Sequence, residues 1–331
     1  MSPAQNRTPR YWKSSQDRVI CTLCPHGCRI APGTRGVCGV RQNTDGRMTL
    51  PFYGHLSAVN IDPIEKKPLY HFLPGSRAFS IGFLGCNFHC PFCQNYEISQ
   101  STVRATRFME PEEAVRSARA AGCASIAYTY NEPGIHFEYV ADTARAARLA
   151  GMKNVLVSNG HLNAGPATEL LDLMDAANVD LKSWSAGFYR DEVGGSLDAV
   201  KTFLKLAATA CHLEVTTLLI PGINNSSQEI ANIAAFVAGL GADIPLHLSA
   251  YYPTYKYTIP ATSPSAVRTA VGVARKSLAY VYSGNTPEPN ATVCLTCGST
   301  LVKRTGYTVD RSGLRGGKCV ACGTTTCIVD A

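Results

Sequence analysis

The chain has 331 residues, 45% of them hydrophobic and 17% charged, with a formal net charge of +7. That length and balance describe a globular chain of about two or three domains with a well-buried core, and they exclude a disordered one. No run of eighteen apolar residues occurs, which excludes a spanning helix, and a modest basic excess chiefly serves solubility, so a nucleic-acid partner is not the favoured reading.

Residues 1–17 are polar and basic and carry no apolar stretch of the kind a secretory signal needs. The fourteen cysteines are therefore read as sitting in a reducing, cytoplasmic compartment, where clustered thiols point to metal ahead of disulfides. The first segment, residues 1–75, holds Cys21-x2-Cys24-x3-Cys28-x9-Cys38, followed by Gly39-Val40-Arg41. Gly27, Gly33, Gly36 and Gly39 punctuate it, as a short loop wrapping a metal requires. Four thiols suit a structural zinc or a second iron–sulfur cluster. Spacing does not choose between them, and the noncatalytic structural role is the preferred reading because four ligands close a site. Residues 54–61 and 72–80 then read as short extended pieces.

From Ala78 the chain repeats a strand-then-helix unit roughly every 25 to 30 residues, the pattern of parallel βαβ construction. The strands fall at residues 79–84, 125–130, 154–158, 178–181, 213–220, 245–250 and 280–283, with helices at 111–121, 137–149, 197–209, 230–240 and 266–278. Ser226-Ser227-Gln228-Glu229 has the form of a capping box. Right-handed crossovers curl such a series into an α/β architecture, a full or partial (β/α) barrel over residues 76–286.

The first of these strands runs into Cys86-Asn87-Phe88-His89-Cys90-Pro91-Phe92-Cys93. A cluster of four irons takes one cysteine per iron, and this local set stops at three. One iron is left to an exchangeable ligand, and S-adenosylmethionine (SAM) offers an amino nitrogen and a carboxylate in one chelate. The competing reading is zinc, for which His89 is the nearby fourth ligand. Polar residues gather at the C-terminal strand ends, the end that carries the site in barrels. Asn131 and Glu132 would accept from the SAM ammonium, while Ser158 and Asn159 are placed for the ribose hydroxyls. Asp180, Lys182 and His247 would neighbour the carboxylate and sulfonium, and Phe92 the adenine. For Asp180 and Lys182 a structural ion pair is the equal alternative.

After a linker at Pro287-Glu288-Pro289-Asn290, residues 287–331 carry Cys294-x2-Cys297 and Cys319-x2-Cys322, each pair followed by glycine. Two such knuckles match a zinc ribbon that draws its stability from the ion. A rubredoxin-like iron or a further cluster is the alternative.

With the Cys-x3-Cys-x2-Cys run and Phe92 before its last thiol, the chain resembles the radical SAM superfamily. Tyr130-Asn131-Glu132-Pro133, Ser158-Asn159-Gly160, Asp180-Leu181-Lys182 and Leu219-Ile220-Pro221-Gly222-Ile223-Asn224 extend the likeness to the branch of pyruvate formate-lyase activating enzymes. It is most similar there to the AmmeMemoRadiSam-system radical SAM proteins. The resemblance implies a [4Fe–4S] cluster on Cys86, Cys90 and Cys93. It implies reductive cleavage of SAM to a 5′-deoxyadenosyl radical, with no protein nucleophile. It also implies an electron donor such as flavodoxin or ferredoxin, and hydrogen abstraction from a partner protein. Tyr130 and Asn131 depart from the family's two glycines at that strand end. Modification of a small molecule or an RNA, and a noncatalytic iron–sulfur sensor, are the competing expectations.

Overall fold

The computed structural model describes residues 7–101 and 104–330. The first six residues of the basic N-terminal stretch lie outside them.

Apolar runs bounded by glycine and polar turns become the strands of one eight-stranded sheet. In chain order they are β1 (Ala58–Pro63), β2 (Arg77–Gly82), β3 (Ser125–Tyr128), β4 (Lys153–Ser158), β5 (Ala176–Asp180), β6 (His212–Leu219), β7 (Leu246–Ala250) and β8 (Val281–Gly284). They lie side by side in that order, β2 to β8 parallel and β1 antiparallel to β2. The strands β3 and β7 are buried at every position. Burial on both faces is what a parallel sheet covered by crossover helices requires. Among the described residues β1 and β8 do not pair, so the barrel is a partial one.

Six helices fill the crossovers: α1 (Pro111–Ala120), α2 (Phe137–Leu149), α3 (Ala164–Leu171), α4 (Leu197–Ala210), α5 (Ser227–Leu240) and α6 (Pro264–Ala274). The second matches its expected span. The third escapes the sequence pattern because it is short and opens with Gly165 and Pro166, residues that read as a turn. The expected capping box is half formed. Ser226 accepts from the Glu229 amide, but the Glu229 carboxylate instead accepts from Ser183 Oγ and the Trp184 amide, tying α5 to the end of β5. Residues 72–80 are not one extended piece either. The chain turns at Gly75, where φ is +77°, before β2 begins.

The N-terminal segment is a small three-stranded sheet, Trp12–Ser15, Arg18–Cys21 and Arg29–Ile30, packed on α2. Its anchor is the buried Arg41, which donates to both carboxylate oxygens of Glu138 at 3.0 Å. The tail forms a second three-stranded sheet, Asn290–Val293, Thr300–Thr305 and Thr308–Asp310, and is fastened to the barrel by buried polar contacts. Arg304 lies over the Tyr70 ring at 4.3 Å and donates to the Tyr70 carbonyl. Val329 exchanges backbone hydrogen bonds with His71 and Leu73 at 2.8 and 2.7 Å. An unpaired guanidinium there would carry a large desolvation cost, so these contacts fix the tail's position.

Candidate functional site

Because β2 to β7 run in one direction, the loops that leave them meet at one end of the sheet. A cavity of about 490 Å³ opens there, and Cys86, Cys90 and Cys93 all line it. The loop that carries them is held by its backbone and neighbours. His89 donates its amide to the Val193 carbonyl at 2.9 Å, and Asn87 Nδ2 donates to the His161 carbonyl at 2.7 Å.

Donors converge on the sulfurs. The Phe88 amide reaches Cys86 Sγ at 3.3 Å, Asn159 Nδ2 reaches it at 3.7 Å, and Ser99 Oγ lies 3.0 Å from Cys93 Sγ. Burial pushes the Cys90 thiol up to about 12, although the Lys182 charge draws it down. Burial also raises the Cys86 thiol, helped by Glu132 and the neighbouring sulfurs. Thiols in this state ionise when a cation compensates them. The three sulfurs and their donors thus fit a cluster, and among the described residues no fourth cysteine lines the cavity. They are also not drawn together to single-ion spacing, unlike the cysteines of the tail.

Phe92, Asn131, Ser158, Asn159, Asp180 and Lys182 line the same cavity. The Phe92 ring packs between Phe188 and Tyr257, with centroids 5.9 and 5.7 Å away. Lys182 Nζ donates to Asp180 Oδ2 at 2.7 Å. Burial opposes the lysine's charge, but Asp180 and, after it, Cys90 outweigh burial and hold Lys182 protonated. The pair stands in the cavity wall, so ion pairing does not withdraw either residue from the cavity.

Two expected residues are placed differently. Glu132 is fully buried behind the wall. Its carboxylate accepts from Ser158 Oγ at 2.9 Å, the Asn159 amide at 2.7 Å and the Gly134 amide at 2.8 Å. Glu132 therefore positions Ser158 and Asn159 and does not itself face the cavity. Burial pushes its carboxyl up to about 7, against those three donors. The Asn131 side chain is likewise occupied, accepting from the Phe83 amide and donating to the Gly85 carbonyl. His247 lies away from the cavity. Its Nε2 is 2.6 Å from Glu214 Oε2, and its ring meets Tyr70 and Tyr282 deeper in the barrel. Glu214 stays ionised despite burial because His212 and His247 bond to it.

Other residues also line the cavity without having been expected as ligands. Thr129 and Tyr130 reach the wall at the end of β3, where Tyr130 adopts φ +73°. Such left-handed backbone is costly for a residue with a Cβ, and Tyr130 keeps it through its carbonyl bond from Asn95 Nδ2 and its hydroxyl bond to Asp62. Tyr307 of the tail, 60% exposed, reaches the mouth. In the tail itself, Cys294, Cys297, Cys319 and Cys322 bring their sulfurs within 4.8 Å of one another. That spacing suits one tetrahedral ion, of which zinc is the usual example.

The family profile of the radical SAM superfamily matches residues 80–236. An uncharacterized protein of Methanocaldococcus jannaschii is 39% identical over 302 residues, 89% of this chain and 90% of that protein. SuiB of Streptococcus suis, solved with precursor peptide SuiA, is 15% identical with a TM-score of 0.51 over 67% of this chain and 51% of SuiB. The SuiB structure bound to S-adenosylmethionine gives 14% identity and a TM-score of 0.50, over 65% of this chain and 50% of SuiB. The chain spans about half the length of SuiB, and the likeness is one of fold. With the cysteine triad at the C-terminal end of β2 and a relative similar over nearly its whole length, the chain belongs to the radical SAM superfamily.

Proposed function

We propose that this chain binds a [4Fe–4S] cluster through Cys86, Cys90 and Cys93 and uses SAM to abstract hydrogen from a partner protein, as glycyl-radical activating enzymes do. The observation that carries the reading is the set of three thiols, without a fourth among the described residues, on one wall of a cavity of about 490 Å³. That volume suits one drug-sized ligand, so SAM takes most of it and the substrate meets the cofactor at the mouth. A polypeptide loop can present a single hydrogen there.

When bound, the cluster and SAM supply one-electron cleavage of a carbon–sulfur bond and a carbon radical that removes the substrate hydrogen. The protein's residues do the placing. Lys182, held protonated beside Asp180, offers a cation to a carboxylate, and Asp180 an acceptor to an ammonium. Ser158 and Asn159, fixed from behind by Glu132, present short polar groups to hydroxyls. Phe92 and the aromatic rings around it exclude water from one wall. A reduced carrier of the flavodoxin or ferredoxin class supplies the electron, and the tail, holding zinc, contributes Tyr307 to the partner's docking rim.

The test is turnover under anaerobic conditions with reductant, SAM and deuterated candidate substrates. Deuterium passing from a glycine of a partner protein into 5′-deoxyadenosine supports the activating role. Deuterium passing only from a metabolite or an RNA overturns it.

A further inference from the structure

The four cysteines ahead of the barrel have more in their surroundings than a structural ion needs. The segment of Cys21, Cys24, Cys28 and Cys38 folds back on itself: the Cys21 amide donates to the Cys28 carbonyl at 2.9 Å, and Gly36 lies so near Cys28 that an added Cβ would stand 3.4 Å from its Sγ. Yet among the described residues these four are not a group whose sulfurs all lie within 4.8 Å of one another. The four tail cysteines are, with Sγ–Sγ separations of 3.7 Å for Cys294 to Cys322 and for Cys297 to Cys319. A tetrahedral ion pulls its thiolates close, because each bond is about 2.3 Å long. A cubane holds them further apart, one on each iron. Among the described residues only the tail set has the close spacing.

The donors around the N-terminal set also suit a cluster. The Val37 amide donates to Cys28 Sγ at 3.5 Å, and the nearby backbone of Leu23 at Cys21, of His26 at Cys24, and of Val40 and Arg41 at Cys38 favours the ionised sulfurs. Arg41 is 1% exposed and its Nε finds no partner among the described residues, although both other guanidinium nitrogens are bonded. Its charge reaches Cys21 and Cys38. A buried N–H without an acceptor is costly, and a cluster with anionic sulfides supplies one.

Position gives the set its purpose. The Cys38 carbonyl packs against Gly85, the residue before Cys86, so closely that an added Cβ would lie 2.3 Å from it. His26, between Cys24 and Cys28, meets the Asn87 carbonyl through Nε2 at 2.7 Å, one residue after Cys86. The leucine before Cys24 receives the Asn163 amide at its carbonyl, which seats the segment on the loop after β4. Two links, one van der Waals and one hydrogen-bonded, therefore join the N-terminal thiols to the loop of the triad. At the outer end Val37, whose amide bonds Cys28 Sγ, is 44% exposed.

We propose that Cys21, Cys24, Cys28 and Cys38 bind a second [4Fe–4S] cluster that relays single electrons from a reduced protein carrier to the cluster on Cys86, Cys90 and Cys93. In each relay the carrier is oxidised by one electron at the Val37 and Cys28 side and the outer cluster is reduced. That electron then passes inward and the outer cluster is reoxidised, with no bond made or broken in the protein. A closed four-thiolate site has no open iron, so this cluster binds no SAM and serves transfer alone. The relay rests on the triad's cluster being the acceptor, but the second cluster does not.

The test uses the full-length chain, produced and reconstituted without oxygen. The variant with Cys86, Cys90 and Cys93 each changed to Ala is expected to keep about four irons and four sulfides. Its reduced electron paramagnetic resonance (EPR) signal should be unchanged by added SAM. Zinc and no iron in that variant overturns the proposal while leaving the triad's cluster standing. Cys28→Ser, in a chain that keeps the triad, separates the relay from mere presence. With a small chemical reductant it should still cleave SAM, and with reduced flavodoxin cleavage should fall at least tenfold. Equal cleavage with both donors overturns the relay.

Discussion

Replacement of Glu132 by glutamine tests how the cavity wall is held. The carboxyl is fully buried beneath Ser158 and Asn159, and burial raises it from 4.5 to about 7 despite its three donors. An acid whose folded value lies above its unfolded value contributes stability that is complete below the unfolded value. That contribution is lost as pH rises through the folded one. At about 1.4 kcal/mol per unit, a rise from 4.5 to about 7 makes the loss about 3 kcal/mol between pH 5 and 8. The amide of Glu132→Gln does not titrate, so the stability difference between the two proteins should move in the variant's favour by about that amount over the same interval. The offset at any single pH also holds the cost of turning an amide N–H toward the Asn159 amide, about 1–3 kcal/mol, which is independent of pH. Urea midpoints for both proteins at matched metal loading, taken from pH 5 to pH 8, measure the change. A difference that stays constant across that interval refutes the placement of a titrating carboxyl behind the wall.

Three further outcomes follow from single contacts. Gly85→Ala places a Cβ against the Cys38 carbonyl at a φ of +78°. It should cost more than about 2 kcal/mol and lower iron content at the triad, read by denaturation and iron analysis. Lys182→Met removes the cation beside Cys90. The triad's cluster should then become harder to reduce, its midpoint moving to more negative potential in a redox titration followed by EPR. Cys297→Ser breaks the tail's ligand set. Zinc content should fall by about one equivalent and hydrogen exchange should rise across 290–330, while β4 exchanges as before.

The barrel was legible because parallel strands are apolar throughout and their helices amphipathic, so the two periods alternate visibly along residues 78–284. The triad was legible because three thiols within eight residues have few other uses. What sequence could not supply was depth and facing. Asn131 and Glu132 follow one another at a strand end, yet one lines the cavity while the other turns behind it to bond the next strand end. His247 and Ser249 share a face of β7, and only Ser249 reaches the cavity. Two residues along a strand is roughly 7 Å, enough to move a side chain from the rim into the barrel. His247 is then fixed by Glu214, a residue 33 positions earlier whose role no local pattern marks. Likewise the tail reads as a separate ribbon, and its delivery of Tyr307 to the mouth depends on Arg304 and Val329 meeting Tyr70, His71 and Leu73. Those contacts span more than two hundred residues of chain.

The most direct test is EPR of the anaerobically reconstituted, reduced protein with and without SAM, alongside product analysis. A [4Fe–4S] signal that changes on adding SAM, a change that is lost in Cys90→Ala, with methionine and 5′-deoxyadenosine formed by the unaltered chain, is the predicted result. Zinc bound at Cys86, Cys90 and Cys93, or a signal indifferent to SAM with neither product formed, would contradict it.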